Sequence, residues 1–128
     1  MNNFDAYCEQ LDKMEKMVKD ALPEGERAYV CYSAYKTSKT TGNPLNNLKQ
    51  VAISGKVIMH QNRDDFGFGG GSKYTSEVLE NPTWLDISVA ANKMIPITGD
   101  YHHSFLEAVY PAKKRIDGVK VYSFSMGS

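Results

Sequence analysis

Apolar residues recur at Phe4, Tyr7, Leu11, Met14 and Val18, and Ala21 and Leu22 continue the series. Steps of three and four predict an amphipathic helix from Phe4 to Leu22. Asp12, Lys13, Glu15, Lys16 and Lys19 fall largely on its other face, and Pro23 and Gly25 end it. Such a helix must pack on something, either its own sheet or a partner subunit. The pattern then changes. "ERAYVCYSAYK" (Glu26 to Lys36) is rich in aromatic and β-branched residues with neither face strongly polar, which predicts a strand covered on both sides.

"KTSKTTGNP" is a polar loop punctuated by Gly42 and Pro44. In "LKQVAISGKVIMHQ" the alternation of Val51, Ile53, Val57 and Met59 predicts one long strand or two short ones, with a bend at Gly55. "NRDDFGFGGGSKYTSEVLENP" opens as a glycine-rich loop and is expected to close as a short helix from near Ser72 to before Pro82. Thr83 with Asp86 three positions on marks the start of a further helix, whose stripe is Trp84, Ile87, Ala91 and Met94. Pro96 and Gly99 are expected to terminate it. "YHHSFLEAVYP" and "VKVYSFSMG" read as two strands joined by "AKKRIDG", with Asp117-Gly118 as the turn. The expected fold is therefore α+β: an antiparallel sheet, a long N-terminal amphipathic helix and one or two further helices.

Length and composition narrow the function. The 128 residues suit one domain spanning 1–128. Fifteen Lys+Arg balance fifteen Asp+Glu, so no global field draws the chain to duplex DNA or an anionic membrane. No apolar run approaches the roughly 20 residues of a membrane span. The first residues lack the basic and apolar regions of a secretory leader, and Cys8 and Cys31 fit no metal or redox spacing. Two reduced thiols in a cytoplasmic protein are the expectation.

Several groups of residues carry candidate chemistry. "TGDYHHSFLEAV" gathers Asp100, His102, His103 and Glu107. On a strand, His103 and Glu107 stand about 13 Å apart, too far to share a metal ion. On a helix they lie one turn apart and can share one, with a third ligand from His60 or Asp100. Asp100 and His102 also suit a general-base pair, in which the carboxylate fixes the histidine tautomer. No nucleophile motif accompanies them, and burial with a hydrogen-bonding role is the plainer reading. "GFGGGSKYT" fails the phosphate-loop pattern, because Ser72 and Tyr74 occupy its glycine and hydroxyl positions. A looser version has the loop close over a phosphate with Ser72 and Lys73. The remaining set is dispersed: Trp84 to stack a base, Asn92 to read its edge, and Lys113, Lys114 and Arg115 with Asp117 for phosphates and ribose. Each also has an ordinary structural use, in the core, on a helix surface or in a solvated turn.

"TWLDISVAANKMIPITGDYHHSFLEAV", followed by a basic turn and a last strand, resembles the small phage proteins that counter the Thoeris bacterial defence system. The resemblance covers Thr83 to Ser128, with Asn92 and the "TGDYHH" run as its best-matching residues. It implies a non-catalytic sponge. Such a protein needs no cofactor, self-associates to dimers or hexamers, and sequesters a cyclic ADP-ribose isomer or cyclic oligonucleotides in the host cell cytoplasm. It further implies Trp84 as the stacking aromatic, Arg115 as the phosphate ligand, Asp117 as a ribose or base partner, and the first helix at a subunit interface. His103 would be structural or close to the ligand. Arg63 and Lys73 are further available cations. A small metal-dependent hydrolase or isomerase using Asp100, His102, His103 and Glu107, and a protein-interaction module docking through the first helix, are the alternatives.

Overall fold

The computed structural model describes residues 3–62 and 72–128. Arg63 and Gly67 of the glycine-rich segment therefore lie outside the described residues. The first helix, α1 (Asn3–Ala21), buries Met14 and Val18 and half-buries Leu11 and Met17. Its outer face carries the ion pairs Glu9–Lys13, Glu15–Lys19 and Lys16–Asp20 at 3.1–3.5 Å, all solvated and individually worth little. No helix among the described residues is long and apolar enough to cross a membrane.

The stretch expected to be one strand from Glu26 to Lys36 is mostly extended chain without a ladder. Only β1 (Cys31–Tyr32) joins the main sheet, and β2 (Lys36–Thr37) pairs with β3 (Pro44–Leu45) in a separate two-stranded ribbon. The reason is local. Tyr29 N–H and Val30 N–H donate to a helix side chain, Asn92, rather than to a neighbouring strand.

The main sheet contains β1, β4 (Lys56–Gln61), β5 (Tyr74–Glu80), β6 (Phe105–Ile116) and β7 (Val119–Gly127), in the order β1-β6-β7-β4-β5. It is mixed, which corrects the antiparallel expectation. β1 runs parallel to β6 and β4 parallel to β7, while β6/β7 and β4/β5 are antiparallel. Parallel neighbours need distant segments brought together, and local periodicity carries no sign of that. A second correction concerns the stretch after Ser72, expected to be helical. It forms β5, an edge strand whose ladder to β4 runs from Lys56↔Glu80 to Gln61↔Tyr74.

The second and last described helix, α2 (Trp84–Thr98), follows directly. Thr83 Oγ1 accepts from Asp86 N–H and Asp86 Oδ2 accepts from Thr83 N–H, a reciprocal capping box. Pro96 sits inside the last turn, and Gly99 closes the helix in the left-handed conformation, its N–H donating to Ile95 O. Ile87, Ala91, Met94 and Ile95 join Met14, Val18, Val57, Met59, Leu106 and Phe124 in one core, so both helices cover one face of the sheet.

Candidate functional site

The expected site residues fall in four places. Arg115 and Asp117 occupy the β6–β7 hairpin. Ile116 pairs with Val119, leaving Asp117 (φ 50°) and Gly118 (φ 80°) as a two-residue turn with both centres left-handed. That geometry suits the right-handed twist of the strands and explains an Asp-Gly pair here. Arg115 Nη1 donates to Gly118 O at 3.1 Å, so one guanidinium edge is anchored across the turn.

The basic run Lys113–Arg115 was expected in a loop, but it belongs to β6. Pro111 pairs with Tyr122 and Arg115 with Lys120, so Ala112, Lys113 and Lys114 all stand opposite the single residue Val121. Two extra residues make a bulge, which bends the strand and re-aims its side chains. The bulge and the facing stretch of β7 border a cleft of about 290 Å³ whose described lining includes Lys113, Lys114, Arg115, Lys120, Pro111 and Tyr122 and no carboxylate. Lys120 and Tyr122 were not foreseen. Their alternation marks a strand, and only the register of β7 against the bulge puts them beside Arg115.

Trp84 begins α2 just beyond β5, but its ring is turned toward Tyr32. Tyr32 pairs with Leu106, whose partner on β7 is Met126, well away from the Arg115–Lys120 pair of the hairpin. Lys120 pairs with Val57, and the adjacent Lys56 pairs with Glu80, after which Asn81, Pro82 and Thr83 lead into Trp84. Its ring is half-buried, 6.2 Å from that of Tyr32. Trp84 N–H and Leu85 N–H donate to Gln50 O and Leu48 O, and Asp86 N–H to its cap. This helix terminus is thus already supplied with acceptors. No helix start lies beside Ser72 and Lys73 to help them hold a phosphate, because the stretch that follows forms β5.

Asn92 is fully buried near the middle of α2, at 0% exposure. Its Oδ1 accepts from Tyr29 N–H (2.6 Å) and Val30 N–H (2.9 Å). Its Nδ2 donates to Glu26 Oε1 (3.0 Å) and Arg27 O (2.8 Å). A carboxamide offers two donors and two lone pairs, and all are taken. The expectation that Asn92 reads a base edge is corrected on that ground: its work is to hold residues 26–30 against α2.

The histidine cluster sits at the opposite end of the sheet, between Gly99 and Phe105. Residues 99–104 form a turn rather than the start of a strand. Asp100, 3% exposed, holds the ring of His103 through Oδ2···Nδ1 at 2.7 Å. The Asp–His pair is therefore Asp100–His103 and not Asp100–His102; His102 is exposed. Glu107 lies beyond the turn on β6, beside Gly127. Among the described residues no three His, Cys, Asp or Glu side chains converge as a metal ion would require.

Buried phenols mark the packed side of the molecule. Burial pushes Tyr74 up to about 12, and a hydrogen bond with Tyr7, then burial, raise Tyr35 to about 12. Tyr32, raised further by burial, donates to Asn47 Oδ1. No protein-family model, curated protein or solved structure matches the chain.

Proposed function

We propose that the chain binds a phosphate-bearing cyclic nucleotide signal of the cyclic ADP-ribose type and holds it unchanged. In this reading it acts in the cytoplasm of the phage-infected cell, as the anti-Thoeris proteins that its Thr83–Ser128 stretch resembles are expected to do. The observation that carries the reading is the hairpin cleft, with four cations and no carboxylate in its described lining, in a chain of net charge zero. Arg and Lys give phosphate oxygens charge-assisted hydrogen bonds, about twice as strong as neutral ones. Arg115, steadied on Gly118 O, is the phosphate ligand, with Lys113, Lys114 and Lys120 around it. Tyr122 offers an aromatic wall, and exposed Asp117 an acceptor for ribose hydroxyls.

Trp84 packs beside Tyr32 rather than in the hairpin cleft, so stacking by it would have to come from a neighbouring subunit of a dimer or hexamer. Calorimetric titration with a cyclic ADP-ribose isomer tests this. Arg115→Ala and Lys120→Ala should each weaken binding by about tenfold or more. Binding that is absent, or indifferent to both substitutions, would remove the hairpin from the account.

A second reading has one observation in its favour. Asp100 Oδ2 lies 2.7 Å from Nδ1 of the partly exposed His103 ring, the carboxylate–imidazole pairing that orients a general base. That arrangement suits a proton-transfer enzyme, which would return its ligand altered.

A further inference from the structure

A second cavity, of about 560 Å³, lies between α1 and β1 at the edge of the sheet. Its size falls in the range of small-molecule sites. Tyr29, Tyr32, Tyr35 and Phe105 give it aromatic walls, over an apolar floor from α1. Asp12, Glu15 and Lys19 supply its charge. Lys19 Nζ lies 3.2 Å from Glu15 Oε1, so that pair is balanced in place and Asp12 is the excess charge. The polarity is opposite to that of the hairpin cleft. Aromatic faces are electron-rich and attract a cation, more strongly as it is desolvated. An anion in the same place meets repulsion from both rings and carboxylates.

We propose that the α1–β1 cleft is a second binding site, for a small organic cation such as a quaternary ammonium compound. The aromatic side chains contribute cation–π attraction and Asp12 the counter-charge. The site needs nothing from the hairpin and stands independently of the nucleotide reading. It also contains its own reporter. Cys31, an exposed residue, lines the cleft, and partial desolvation raises its thiol above the ordinary cysteine value, so its reaction with an alkylating reagent is followed at mildly alkaline pH. Cys8 does not line the cleft and serves as the internal control.

The experiment measures iodoacetamide alkylation of both cysteines in the full chain by peptide mass spectrometry. Choline is the probe, and its neutral analogue with tert-butyl in place of trimethylammonium is the comparison. At about ten times its Kd, choline should slow Cys31 by about tenfold and leave Cys8 unchanged. The neutral analogue at the same concentration should slow Cys31 by less than about twofold. Asp12→Asn, an exposed position that should keep the native circular dichroism spectrum, should lose most of the protection. Equal protection by both compounds, no protection by choline, or parallel slowing of both cysteines would each overturn the proposal.

Discussion

Removing the Asn92 carboxamide strips partners from two backbone N–H groups and two acceptors at once. A buried donor left without a partner costs about 1–3 kcal/mol. Asn92→Ala should therefore lower unfolding stability by about 2–5 kcal/mol in urea titration, a large share of a typical domain's total. A residue whose only task is base reading would cost nothing in stability on removal. Tyr74 makes the complementary case for ionisation. Its phenol, near 10 in the unfolded chain, rises to about 12 in the folded one through burial. The folded state thus binds more protons between these values, and stability falls as pH rises from about 10 towards 12. Tyr74→Phe should flatten that decline, read from denaturant midpoints across the interval. At this scale the sequence is a partial guide. Thr83 and Asp86 announce their cap because both partners lie within one turn. Asn92 looks like any helix residue because its partners are more than sixty positions away.

At the scale of elements, turns and caps are legible and pairings are not. Asp117-Gly118 identifies its hairpin because a two-residue turn demands left-handed residues at both positions. "YTSEVLE" is a different matter. Its Ser, Glu and Leu suit a helix, and only the ladder to β4 settles it as β5. The basic bulge is equally hidden, since it exists only as a mismatch between two strands. It also makes a prediction. Deleting Lys113 and Lys114 leaves Ala112 opposite Val121 and restores regular pairing. The variant should stay folded, with its thermal midpoint shifted by only about 5 °C, yet lose at least about tenfold in affinity for an anionic ligand. Unchanged affinity would mean that the bulge is architecture and nothing more.

For the whole molecule, the α+β class followed from apolar periodicity, whereas the mixed sheet did not, because strand order is a property of distant contacts. The dispersed set of candidate residues illustrates the same limit. Strand register gathers Arg115 and Asp117 beside Lys120, while Trp84 packs against Tyr32, Asn92 is taken into the core and His103 lies at the far end. The central claim is that the ligand is held and not converted. The direct measurement is to saturate the protein with a cyclic ADP-ribose isomer, incubate for hours, heat-denature and chromatograph the released small molecule. The account predicts unaltered ligand in stoichiometric amount from the native chain, and little from Arg115→Ala. Recovery of a changed product would contradict it and make the Asp100–His103 pair the centre of the chemistry.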